Sequence, residues 1–247
     1  MNKYKMVITY DGSNYCGWQI QKNGISIEGV ISNTISTILQ ENVFVCGAGR
    51  TDSGVHAKGQ VAHFSSSKVR DYRVLKKSLN ALLPRDIRVL ELTLVEDDFH
   101  ARFSAKEKIY TYEIVTSKIQ MPFDRCYALH FPFKLDVDKI EESLHYFIGK
   151  KSFLSFTTKT KRITTHEDAT RTIYELSLIH NCQGFSLRFR GDGFLYRMVR
   201  NITGTLLDIG QERLLSEELP SIFISGNKDK THRSVPPHGL TLNEVCY

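Results

Sequence analysis

The chain is 247 residues long and 41% hydrophobic, enough apolar material for a substantial core, which excludes a disordered protein. Its 33 Lys and Arg against 27 Asp and Glu leave a formal charge of +6, a balance that suits a polyanionic partner without specifying one. The five cysteines, Cys16, Cys46, Cys126, Cys182 and Cys246, include no CxxC pair, which points away from a disulfide framework or zinc site and towards a reducing cytoplasm. Charged residues interrupt every hydrophobic stretch before it could span a bilayer, so the chain reads as soluble and unexported.

Residues 3 to 11 have the pattern of a strand. Ile27, Val30, Ile31, Thr34, Ile35, Ile38 and Leu39 then recur at helical spacing behind Ser26, a natural N-cap. Val43 to Cys46 and Gln60 to Ser65 read as strands, Tyr72, Leu75, Leu79, Leu82 and Leu83 as one helix face, and Ile87 to Val95 as an alternating strand. The first half is thus βαββαβ, the ferredoxin-like order. The second half repeats the outline less cleanly. A strand is expected at 107–116, a helix at 138–148, strands at 171–180 and 184–190, a helix at 194–209 and a last strand at 240–246. The expected fold class is α+β: two ferredoxin-like or RRM-like βαββαβ units, residues 1–105 and 106–247, packed around a shared antiparallel sheet with a central cleft. The polar segment Thr157 to Thr170 reads as a mobile loop, either a solvated connection or one that orders on a ligand.

The densest chemistry lies in Gly47-Ala48-Gly49-Arg50-Thr51-Asp52-Ser53-Gly54-Val55-His56-Ala57. Glycines around an Arg and an Asp let a large ligand approach the backbone. In an extended chain Arg50 and Asp52 project to one side, where a guanidinium holds a carboxylate ionised; an Asx-turn beside a surface salt bridge explains the same residues. His56 and His63 have no partners at metal-binding spacing and read as structural, and no motif for a metal or a cofactor is present.

Gly49 to Ala57, continuing through Gly59-Gln60-Val61, resembles the signature of the tRNA pseudouridine synthase A family. Tyr10-Asp11-Gly12, Gly17-Trp18-Gln19, Phe99 to Ala105, Tyr110-Thr111-Tyr112, Met198 to Ile202 and Pro237-His238-Gly239-Leu240 resemble its other motifs in the same order, almost end to end. Ser26-Ile27-Glu28 departs from the Thr-Val-Gln often found there, and the 157–170 loop has no counterpart that aligns. The resemblance implies conversion of uridine to pseudouridine at positions 38, 39 and 40 of the tRNA anticodon arm, by a cytoplasmic homodimer whose tRNA contacts both subunits, without cofactor or metal. It implies Asp52 as the catalytic carboxylate, acting as nucleophile or base, and Tyr110 as the residue that stacks on the target uracil. It further implies that Arg200 reaches Asp52 from the second unit. Without the resemblance, Tyr110 reads as a core aromatic on a strand and Arg200 as a solvent-facing helix arginine.

A tRNA surface calls for distributed cations, and Arg50, Arg102, Lys106, Lys108, Arg188, Arg190 and Arg197 are the candidates. Two rival classes have weaker support. A non-catalytic RRM-like RNA-binding protein lacks an RNP1 motif, Phe185 to Phe189 being the nearest approach. A metal-dependent phosphohydrolase lacks clustered acidic ligands.

Overall fold

In the first strand, β1 (Asn2–Tyr10), alternate side chains Tyr4, Met6, Ile8 and Tyr10 are buried, so the strand presents one continuous apolar face. The structure, a computed structural model, describes residues 1–68, 71–158, 163–227 and 234–247. The chain divides into two compact units, Met1–Lys106 with Thr241–Tyr247, and Glu107–Leu240.

In the first unit β1 runs antiparallel to β3 (His56–Ser66) on one side and to β4 (Ile87–Val95) on the other, with Met6 opposite both Ala62 and Leu92. The short β2 (Cys46–Gly47) and β10 (Leu240–Cys246) share the remaining edge of β3. β2 lies antiparallel at Cys46↔His63, and β10 lies parallel at Thr241↔His56. Helix α1 (Ile27–Leu39) starts where expected because the Ser26 side chain accepts the Gly29 N–H. It buries Ile27, Ile31, Ile35 and Leu39, and α2 (Tyr72–Leu82) packs on β4 through Leu75 and Leu79. The strand expected at Val43 to Cys46 pairs only at its end. The Val43 N–H is taken by Ser36 Oγ at 3.0 Å, which removes it from any ladder. Thr241–Tyr247, which the sequence reading placed with the second half, sits in this unit and covers backbone groups of β3 that need partners.

The second unit has the sheet order β5-β9-β8-β7, antiparallel throughout: β5 (Glu107–Val115), β9 (Gly184–Gly191), β8 (Thr170–Asn181) and β7 (Gly149–Ser152). A two-residue β6 (Leu129–His130) lies parallel to β5. The helix expected at 138–148 is α3 (Val137–Ser143), tightening to a 3₁₀ turn at Leu144–Phe147. Helix α4 (Met198–Gly210) is buried along almost its whole length and packs closely on α3, since a Cβ at Gly210 would lie 2.7 Å from Ile140 Cδ1. It starts at Met198 and not at 194 because Arg197 takes the left-handed φ of 60°, which ends the turn before it. A short α5 (Leu219–Ser225), which the sequence pattern did not disclose, adds Phe223 to a cluster with Phe147, Phe153 and Phe156.

Each unit is therefore α+β with a mainly antiparallel sheet, the expected class. No helix among the described residues is long and apolar enough to cross a membrane. Within the 157–170 loop, residues 159–162 lie outside the described residues. Beside them the Thr157 hydroxyl donates to Tyr196 O at 3.0 Å, and the Asp168 carboxylate accepts the Thr164 and Thr165 N–H groups at 3.1 Å. Those hydrogen bonds, the one from Thr164 foremost, hold the Asp168 carboxyl below the usual range.

Candidate active site

The loop that carries Asp52 is held by several hydrogen bonds. Tyr10, at the end of β1, meets Thr51 Oγ1 through its hydroxyl at 2.8 Å, and Gln60 on β3 donates to Gly49 O at 3.0 Å. The Trp18 backbone N–H donates to Thr51 O at 3.1 Å, Ser53 Oγ donates to Tyr15 O at 3.1 Å, and the Val55 N–H closes a turn on Asp52 O at 3.1 Å. Two glycines make this approach feasible. Gly17 has φ +102°, and a Cβ there would lie 2.7 Å from Thr51 O; a Cβ at Gly47 would lie 2.6 Å from the Trp18 ring. Tyr10, Thr51 and Gln60 are buried, Asp52 is half-buried, and Arg50 is exposed. The arrangement immobilises the backbone on both sides of one carboxylate while leaving that carboxylate accessible, which is the preorganisation a reacting group requires.

Burial pushes the Tyr10 phenol up to about 12, against the opposing pull of its contacts with Thr51 and Gln60, so it stays protonated as a hydrogen-bonding strut. Tyr10→Phe removes that hydroxyl and leaves Thr51 Oγ1 short of a buried partner, with an expected cost of about 1–3 kcal/mol. Turnover falls and KM changes little, as steady-state kinetics would show; unchanged kcat and melting temperature would remove the strut role.

Tyr110 and Arg200 belong to the second unit. Tyr110 is buried on β5 opposite Phe189, and the Phe194 ring meets its ring edge-on at 5.2 Å. Arg200 stands in the first turn of α4, buried, with its Nε donating to Val235 O at 2.7 Å. The solvent-facing alternative for Arg200 is therefore excluded. Its charge opposes the strong upward push that burial gives the Tyr112 phenol, and Tyr112 shares a strand face with Tyr110. Among the candidate phosphate contacts, Arg188 and Arg190 are committed elsewhere. Arg188 pairs with Glu175 at 2.7 Å, and Arg190 pairs with Glu107 at 3.0 Å and Glu175 at 3.3 Å. Arg102, Lys106 and Arg197 are exposed.

Spacing in the sequence gave His63 no metal-binding partners, yet the fold supplies two. The Cys46↔His63 register and the turn after Phe99 bring potential ligand atoms of Cys46, His63 and His100 within 4.8 Å of one another. Backbone N–H groups can only donate. Ala101 donates to His63 Nδ1 at 3.1 Å, and Arg102 and Phe103 donate to His100 Nδ1 at 3.2 and 3.3 Å. In its neutral form each ring therefore carries its proton on Nε2. A metal-bound imidazole has a bare ligating nitrogen and donates from the other one, so this set of contacts fits a clasp on the 99–104 turn and does not fit a metal centre. His56 is buried, and its Nδ1 accepts the Gly12 N–H at 3.1 Å.

Burial, and secondarily the charges of His100 and Lys3, lower His63 from 6.5 to about 4. The unfolded chain then takes up the proton before the folded one does. This contribution to stability is full above pH about 6.5 and is lost as pH falls towards about 4. Urea unfolding across that window should show the loss, and His63→Asn should flatten it. An NMR titration placing His63 near its ordinary value would contradict the effect.

The sequence model of the family described as "tRNA pseudouridine synthase" matches residues 6–104 and 144–247. Arg50, Asp52, Arg102 and Arg200 lie inside the matched ranges, and Tyr110 lies between them. The chain is 44% identical over 248 residues to a protein of Protochlamydia amoebophila named tRNA pseudouridine synthase A 1, covering 100% of this chain and 97% of that one. It is 40% identical to tRNA pseudouridine synthase A of Thermodesulfovibrio yellowstonii, over 100% of both chains, and 39% identical to that of Bacillus pumilus, over 99% of both. A match over most of the sequence, with relatives of this identity along their whole length, places the chain in the tRNA pseudouridine synthase family.

Proposed function

We propose that this protein isomerises uridine to pseudouridine at positions 38, 39 and 40 of the tRNA anticodon arm, with Asp52 as the reacting carboxylate. The observation that carries the reading is the end-to-end similarity to relatives named tRNA pseudouridine synthase A. In the reaction the bond from C1′ to N1 breaks and one from C1′ to C5 forms; C5 gives up a proton and N1 takes one. Atoms and electrons balance without an oxidant or reductant.

The target uridine has to leave its stack to expose C1′ and C5, which calls for a pocket that accepts a flipped base. In this reading Asp52 acts as nucleophile or base on the flipped nucleotide, supported by the hydrogen bonds to the backbone of 49, 51 and 52 and to the side chains of Thr51 and Ser53. Tyr110 stacks on the uracil and assists removal of the C5 proton, and the flanking Phe194 ring supports a fixed orientation for it. Arg200 supplies a cation for the substrate, and its anchorage on Val235 O limits where the guanidinium travels. Arg50 and Arg102 hold phosphates. The enzyme acts in the cytoplasm as a homodimer, with each tRNA touching both subunits.

Tritium release from tRNA carrying 5-tritiated uridine tests the proposal. Isomerisation must expel the label from C5, whereas RNA binding or phosphodiester hydrolysis retains it. Release in proportion to enzyme and time is the expected result; stable label on a folded, tRNA-bound enzyme would reject the function.

A further inference from the structure

We propose that Phe103, backed by His100 and flanked by Arg102, is a stacking site for an unpaired nucleobase of the RNA other than the target uridine. The proposal rests on the tRNA reading above. The Phe103 side chain is 77% exposed. Single exposed apolar residues are common, and exposure alone identifies nothing. What sets Phe103 apart is how firmly its turn is held. Ser104 Oγ accepts the His100 N–H at 3.0 Å, the Ser104 N–H donates to His100 O at 2.9 Å, and the Arg102 and Phe103 N–H groups converge on His100 Nδ1. The neighbouring Ala101 is fixed by its N–H on His63 Nδ1 and by the Tyr247 hydroxyl on its carbonyl at 2.7 Å.

One side of the Phe103 ring rests on the His100 imidazole, with centroids 4.3 Å apart and planes inclined by 30°. Behind His100 the rings of His63 and then Phe99 follow in edge-on contacts, at 4.7 and 6.1 Å from centroid to centroid. The Phe103 ring is the outer member of this run, and its exposure leaves room for one more planar group. The Arg102 guanidinium carbon lies over the ring, 5.8 Å from its centroid, so a base that stacks here meets a cation. A planar aromatic ligand joined to an anion satisfies both features, and an unpaired nucleotide has that composition. The rigid turn lowers the ordering cost of stacking.

The test uses an unmodified tRNA transcript and filter binding. Phe103→Ala and Phe103→Leu should each weaken binding by about 5- to 150-fold, the range that loss of one base–aromatic stack produces. Phe103→Tyr should bind like the wild type. The dependence of log affinity on log salt should keep its slope in Phe103→Ala, whereas Arg102→Gln should make it shallower by about one, as for a lost phosphate contact. Phe103→Trp gives a direct readout, because the chain has a single native tryptophan, the buried Trp18, and the added exposed indole should be quenched when tRNA binds. Phe103→Ala binding within about twofold of wild type, or an unquenched indole, would overturn the proposal. So would a change in sedimenting mass of Phe103→Ala without RNA, since the ring would then be covered by a second copy of the chain. Absence of tritium release by the wild type would instead reject the functional reading, which keeps the two failures distinct.

Discussion

Asp52→Asn abolishes measurable pseudouridine formation while the protein stays folded and binds tRNA at least as tightly as before. The substitution keeps size and shape and removes only the charge. The hydrogen bonds that hold the loop run to the backbone of 49, 51 and 52 and to the side chains of Thr51 and Ser53, so an amide at position 52 leaves them in place. An amide is a far weaker nucleophile and base than a carboxylate, and turnover should fall by at least about 10⁴-fold. Affinity persists or rises because one negative charge facing the phosphates is gone. Tritium release and filter binding on one preparation, with thermal melting as the check on folding, measure all three. Substantial product from the folded variant would falsify the role given to Asp52.

Gly17→Ala produces the second large effect, through geometry and not chemistry. At φ +102° an L side chain is strained, and its Cβ would lie 2.7 Å from Thr51 O and 3.1 Å from the Asp52 carbonyl carbon. Those contacts are backbone atoms, which cannot swing aside as a flexible side chain does. Strain and overpacking together should cost about 2–5 kcal/mol, a fall of roughly 5–15 °C in Tm for a chain of this length. Relief requires the Thr51–Asp52 segment to retreat. Displacement of a reacting group by about 1 Å is enough to lower kcat about 100-fold at temperatures where the variant is still folded. Wild-type kcat with only the lowered Tm would mean that the loop tolerates the shift and that its fixation has no catalytic meaning.

The local elements were the most legible part of the sequence. Ser26 ahead of Ile27, Ile31 and Ile35 marks the start of α1, and alternation from Ile87 to Val95 marks β4, because each signal is contained in a short window. The misplaced start of α4 shows the limit of such windows. Leu195 continues the apolar periodicity, but the left-handed backbone at Arg197 is a conformation that periodicity does not record. Short β6 and β7 depend on partners distant in sequence, and so does the meeting of Cys46, His63 and His100. At the candidate site, the glycines around Asp52 announced a tight loop, and the fold accounts for them by the approach of Trp18 and Thr51. The parts given to Asp52, Tyr110 and Arg200 came from likeness to a family; periodicity and composition carry no information about which carboxylate or ring reacts.

The seating of Thr241–Tyr247 in the first unit also has a consequence for how the protein is made. The strand that borders β3 is separated from the rest of its unit by all of Glu107–Leu240, yet it is bound there by the Lys106 N–H on Cys246 O, by the Tyr247 hydroxyl on Ala101 O and by so close a passage over Gly59 that a Cβ would lie 2.4 Å from Asn243 O. A ribosome adding about 5–20 residues per second needs on the order of ten seconds to cross the intervening stretch. Throughout that interval the first unit has emerged without its terminal strand, and part of the β3 edge is open to stray strand pairing. Native assembly of the first unit thus waits on synthesis of the second, and nascent chains arrested between Glu107 and Leu240 should be markedly more protease-sensitive in residues 1–106 than the finished protein.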